Sequence, residues 1–257
     1  MSTPEPDSPD QEQSFLSHLV ELRQRIVRAA LAVVIVFLAL TPFMKQIFEL
    51  LSEPMMMALP AGTKLLATGV VTPFLVPLKV TLFTSFLLAL PYVLYQAWAF
   101  VAPGLYRHER RLAVPVIVSS VAMFALGVAY CYFVVFGVVF RFIAGFAPVT
   151  VSVAPDIEAY FSFVMGMFLA FGLAFEMPIA VVLLVRFGIA SIDKLKQARP
   201  YVIVGAFIVA AIFTPPDVLS QMLLAVPLCV LFELGIQCAR FVTPRGQADA
   251  TAAESGS

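Results

Sequence analysis

The chain has 257 residues, of which 61% are apolar, and its mean hydropathy is +0.97. Basic and acidic residues number 16 each, so the net charge is zero and charge is about half as frequent as the roughly 25% of a soluble domain. So much apolar surface cannot be hidden in water, which excludes a soluble enzyme, and without a basic stripe there is no case for a nucleic-acid partner. The composition specifies an all-α polytopic membrane protein.

Residues 1–13 are acidic and proline-rich, and they are expected to form a disordered tail. A second tail is expected over residues 242–257, leaving 14–241 as the transmembrane domain. In the first helix, Phe15, Leu19, Leu22 and Ile26 recur at helical spacing and predict an apolar face. Glu21 stands four residues before Arg25, the favourable order for a pair within one helix.

Six apolar segments follow, at about Ile26–Phe43, Val80–Phe100, Leu112–Phe140, Tyr160–Phe187, Tyr201–Phe213 and Val218–Cys238. A hydrocarbon core of about 30 Å needs roughly 20 helical residues. The fifth segment is shorter than that, so segments five and six read either as two short spans or as a re-entrant pair. The basic residues favour six spans with both ends in the cytoplasm. Twelve then lie inside, among them Arg23, Arg25, Arg107, Arg186 and Arg240; four lie outside, at Lys45, Lys64, Lys79 and Arg141. Between the first two spans, Phe48–Leu59 predicts a short interfacial helix with Glu49 and Glu53 facing water. No internal repeat is evident.

Several residues do not suit a plain lipid-facing bundle. Glu176 falls at mid-depth of the fourth segment, where a carboxyl must face a polar cavity or a partner; Pro178 should bend the helix beside it. In the inner loop Ala99–Arg111, Pro103-Gly104 stops the second span before His108-Glu109-Arg110-Arg111. Leu112 stands where a zinc protease motif would need its second histidine, so that activity is excluded. Glu109 either pairs with its own arginine neighbours or receives a cationic group from outside. Thr214-Pro215-Pro216-Asp217 separates the last two segments, with Asp217 suited to the first turn of the sixth. Cys131, Cys229 and Cys238 form no CxxC pair and read as small apolar fillers. No metal site or cofactor is expected.

Read in order, HLVELRQR (18–25), Pro54, YQAWAFVAPGLYRHERR (95–111), FGLAFEMP (171–178), RPYVIVGAF (199–207) and TPPDVLSQ (214–221) resemble the TatC family, the multi-span receptor subunit of the twin-arginine protein translocase. The resemblance runs from about Phe15 to Phe241. It implies a six-helix, cup-like bundle in the bacterial inner membrane that is not an enzyme. It further implies binding of the twin-arginine signal peptide of folded cargo, and transport driven by the proton-motive force. The partners it implies are the single-span subunits TatA and TatB, in an oligomeric assembly. Signal-peptide binding falls to Glu21, Phe100 and Glu109. Arg23, Pro54, Pro91, Asp217 and Gln221 take supporting or structural roles, and Glu176 an intramembrane polar contact. A proton-coupled small-molecule carrier is the competing reading, resting on Glu176 alone.

Overall fold

The computed structural model of the protein describes residues 9–60, 63–101, 110–146, 154–214 and 217–242; the side chains at 9–18, 98–101, 110–113, 146 and 242 fall outside that description. The described backbone is helical apart from short turns and one isolated bridge. In chain order the helices are α1 (Pro9–Leu40), α2 (Met44–Ala58), α3 (Thr72–Val101), α4 (Arg110–Tyr130) and α5 (Phe136–Phe146). They continue with α6 (Ile157–Phe175), α7 (Met177–Arg186), α8 (Ile192–Gln197), α9 (Arg199–Phe213) and α10 (Val218–Val242).

Among the described residues, five stretches are long and apolar enough to cross a membrane: Leu19–Ala58, Thr72–Ala97, Val114–Gly145, Ile157–Arg186 and Val218–Phe241. The apolar α9 is shorter, at 15 residues or about 22 Å. The chain is thus an all-α polytopic membrane protein. It divides into two compact units, one of Met1–Lys45 with Pro77–Val121 and one of Gln46–Val76 with Ala122–Ser257.

In the first unit, α1 is under way at Pro9, inside the stretch expected to be a tail. Acidic residues such as Asp10 and Glu12 favour a helix N-terminus, which supports helix in that polar turn ahead of the apolar run. Pro42 sits in the single tighter turn Thr41–Phe43, which separates α1 from α2. Polar side chains in α3 are satisfied locally: the hydroxyls of Thr81 and Ser85 donate to the carbonyls of Pro77 (2.7 Å) and Thr81 (2.6 Å), one turn back.

The second unit is close-packed. A Cβ on Gly127 of α4 would stand 2.5 Å from the carbonyl oxygen of Phe171 on α6, and one on Gly172 would run into the Phe124 ring. These two glycines let α4 and α6 touch at backbone distance, as small residues do between membrane helices. Gly235 of α10 does the same for α7, where a Cβ would lie 2.9 Å from Pro178 Cα. One turn of wider π-helix, Cys131–Val135, joins α4 to α5. Beyond it Phe136, Phe140, Tyr160, Phe163 and Phe168 form a continuous ring cluster with centroids 5.2–6.5 Å apart. Leu66 and Asp156 make a parallel bridge, with Leu66 N–H donating to Pro155 O at 2.8 Å and Ile157 N–H to Leu66 O at 2.9 Å.

Cys131 is buried, as an apolar filler should be, but Cys238 is exposed. It falls on a polar-facing turn of α10, between Gln237 and Arg240, which a count of apolar neighbours does not resolve.

Candidate functional site

Glu21 lies on the described part of α1, half-buried, with Arg23 exposed two residues on. The pair expected from spacing is formed: Arg25 donates to Glu21 Oε1 from Nε at 3.0 Å and from Nη2 at 2.5 Å. Arg25 also reaches Gln96 Oε1 of α3 at 3.5 Å through Nη1. Gln96 is buried, and it ties α1 to the end of α3 that leads into Phe100. The Phe100 side chain and Glu109 lie outside the described residues. Pro91 lies inside α3 on an exposed position.

Pro54 lies within α2 and is half-buried. Helix α2 begins four residues before the predicted Phe48, with Glu49 and Glu53 exposed as expected. Its opposite face packs on protein. Leu51, Ser52 and Met55 are buried, and Phe48 packs on Phe161 at 4.7 Å. Two tyrosine hydroxyls reach α2 from the spans: Tyr132 donates to Leu50 O at 2.9 Å and Tyr160 to Leu51 O at 2.6 Å.

Glu176 occupies the single residue between α6 and α7, ten residues before the end of α7 at Arg186. Pro178 has no N–H to give the preceding turn, and the helix tightens there, with Glu176 N–H donating to Leu173 O at 3.1 Å. The Glu176 residue is half-buried and its Oε1 is withdrawn from solvent. The break holds the carboxyl two residues from the closely packed α7–α10 contact at Pro178 and Gly235.

These positions match a known pattern over most of the chain. The family model for "Sec-independent protein translocase protein (TatC)" matches residues 17–227. The chain belongs to the TatC family. It is similar to the Sec-independent protein translocase protein TatC of Escherichia coli K12, with 48% identity over 240 residues, 93% of each chain. The TatC of Aquifex aeolicus is 36% identical over 228 residues, 88% of this chain and 94% of that one. A crystal structure titled as the twin arginine translocase receptor TatC superposes with a TM-score of 0.76 at 35% identity, covering 88% of this chain and all of that one.

In this TatC-family chain Asp217 immediately precedes α10 rather than lying in its first turn, and its Oδ1 accepts from Ser220 N–H at 2.7 Å. Gln221 Nε2 donates back to Phe207 O of α9 at 3.1 Å, closing the α9–α10 hairpin near its turn. At the other end of the hairpin Arg199 forks onto Glu233, Nε to Oε2 at 3.0 Å and Nη2 to Oε1 at 2.6 Å. Sequence reasoning did not single out Glu233, Gln96, Tyr132 or Tyr160. Each is a polar group inside an apolar run, which is the signal that could have marked it. Outside the spans, Asp156 is held below the usual carboxylate range, first by the Ala159 N–H and then by the Thr68 hydroxyl. Lys196 holds Asp193 low in the same way on the short helix α8.

Proposed function

We propose that Glu21 and Glu109 receive the paired arginines of a twin-arginine signal peptide, with Phe100 forming an apolar shelf for the residues that follow them. Membership of the TatC family makes the chain a non-enzymatic receptor subunit of the twin-arginine translocation system, multi-pass in the bacterial inner membrane. The observation that carries the residue assignment is the Glu21–Arg25 contact. One carboxylate oxygen accepts from both Nε and Nη2 of a guanidinium at the level of the inner basic residues. An incoming arginine presents the same planar fork, which lysine does not reproduce. Arg23, beside Glu21 on an exposed position, supports that surface.

In this reading six helices, the five long ones and α9, span the bilayer as a concave, cup-like bundle with both termini in the cytoplasm. The 12-to-4 distribution of basic residues supports it. Two short helices joined outside at Asp217 and Gln221 thin the bilayer locally. Pro91 bends α3, and Pro54 shapes the outer helix. Glu176 offers a hydrogen bond within the membrane to a single-span partner of the TatA and TatB type, or to the inserted signal peptide, in a mixed oligomer.

Photocrosslinking of a twin-arginine precursor to the membrane-embedded protein tests the recognition site. Glu109→Gln is expected to lower signal-peptide crosslinking at least tenfold while the protein still accumulates. Unchanged crosslinking in that variant overturns the assignment.

A further inference from the structure

We infer that Tyr160 and Tyr132 are positioning residues that take over the backbone hydrogen bonds Pro54 disturbs in α2, so that these three residues act as one clamp on the outer helix. A proline inside a helix offers no N–H to the carbonyl four residues earlier, and its ring pushes that carbonyl aside. For Pro54 that carbonyl belongs to Leu50, and the next one, Leu51, lies on the same turn. These are the two carbonyls that the tyrosine hydroxyls reach, Tyr132 at Leu50 and Tyr160 at Leu51. The Tyr160 hydroxyl also meets the Met55 N–H, the group that would bond Leu51 in an undisturbed helix. It therefore sits at that rung, donating to the Leu51 carbonyl and accepting from the Met55 N–H.

The surroundings fit a built clamp. Tyr160 is buried and its ring packs edge-on against Phe161, which in turn holds Phe48 of α2. Tyr132 lies within the π-turn Cys131–Val135, and one wide turn of that kind rotates the side chains after it relative to a regular helix. Its hydroxyl sits between Leu50 O and the Glu53 carboxylate, both on α2. The clamp leaves exposed the part of α2 that carries Glu49 and the Leu50 and Met57 side chains. Its consequence is a fixed orientation for that outward face.

A double-mutant cycle on the full-length protein in micelles tests the clamp. Tyr160→Phe is expected to lower the folded-to-unfolded ratio roughly tenfold, and the more exposed Tyr132→Phe about two- to threefold. In a Pro54→Ala background the backbone recovers its own donors: the N–H restored at position 54 serves Leu50, and the Met55 N–H serves Leu51. Tyr160→Phe should then be neutral or stabilising, because the buried hydroxyl has lost its acceptor. Transport by the Pro54→Ala/Tyr160→Phe pair should be no lower than by Pro54→Ala alone. If Tyr160→Phe fails to accumulate, adding Pro54→Ala should restore accumulation. Equal and additive effects of Tyr160→Phe in both backgrounds overturn the inference.

Discussion

In the unit built from Met1–Lys45 and Pro77–Val121, none of the described side chains from 19 to 45 is buried, although this is among the most apolar stretches of the chain. In the other unit, α6 buries eleven of its 19 residues, and its neighbours come close enough to need glycine at the crossings. Two helices of similar hydropathy are thus stabilised differently. Helix α1 is held by the apolar solvent around it and by a few polar ties, Arg25 to Glu21 and to Gln96. Helix α6 is held by dispersion contacts with other helices, the main source of association once lipid removes the hydrophobic drive.

The sharpest way to break this comparison is one substitution in each region. Gly127→Leu forces α4 off the Phe171 carbonyl and is expected to cost about 3 kcal/mol or more of stability. Leu31→Ala on α1, at a position 56% exposed, is expected to change stability by less than about 0.5 kcal/mol. Thermal unfolding of the two purified variants in the same detergent measures both. Comparable losses would mean that α1 is packed as tightly as α6, and the contrast would fail.

A smaller effect is expected at Glu176, where the packed frame carries its polar group. An interhelical hydrogen bond in a membrane is worth roughly 0.6–2 kcal/mol, enough to bias which small helix docks. Glu176→Gln keeps donor and acceptor and should retain most transport. Glu176→Ala should weaken co-purification of the single-span partners severalfold while leaving signal-peptide crosslinking at Glu21 intact. A dead Gln variant with an Ala variant that still docks its partners would assign the residue to charge or proton chemistry instead.

What could be read from the sequence follows the same division. Run length and Pro/Gly punctuation located the five long apolar stretches, because crossing a bilayer imposes a minimum length on a span; α9, at 15 residues, is shorter than that minimum. The Glu21–Arg25 pair, the break near Pro178 and the capping by Asp217 were legible because each depends on residues within one turn. The bonds from Tyr132 and Tyr160 to α2 and the fork from Arg199 to Glu233 were not legible. They depend on how deep one helix sits against another, which hydropathy does not encode. Arg199 and Glu233 are 34 residues apart, and only the antiparallel register of α9 and α10 makes them neighbours. The glycine crossings were hidden for the same reason, since Gly127 and Gly172 become meaningful only once α4 and α6 are paired. For Glu21, Phe100 and Glu109, local spacing supplied only the Glu21–Arg25 pair, and the assignment to signal-peptide binding rested on the family resemblance.

The smallest expected effect lies at the edge of the packed unit where the Leu66 bridge meets the start of α6. Asp156 caps α6 by accepting from Glu158 N–H at 2.9 Å and Ala159 N–H at 3.0 Å, while Thr68 donates to its other oxygen at 2.7 Å. All three bonds favour the ionised carboxylate, so its folded pKa lies below the unfolded value. The sign follows from linkage: the contribution is fully present above the unfolded value and fades as pH falls through the lower folded one, in a window below about pH 4. Asp156→Asn keeps one carbonyl oxygen for the two amides but removes the charge from the helix N-terminus. At pH 7 the variant should therefore unfold at a slightly lower temperature than the parent protein, and the gap should narrow as the pH falls below the ordinary carboxylate range. Asp156 is half-buried rather than enclosed, so raising the salt concentration should still narrow the same gap at pH 7. A difference that does not narrow at all along an acid titration to full protonation of the carboxylates would show that the loss comes from hydrogen-bond geometry at Thr68 rather than from the charge, and would remove electrostatics from the account of how this edge is held.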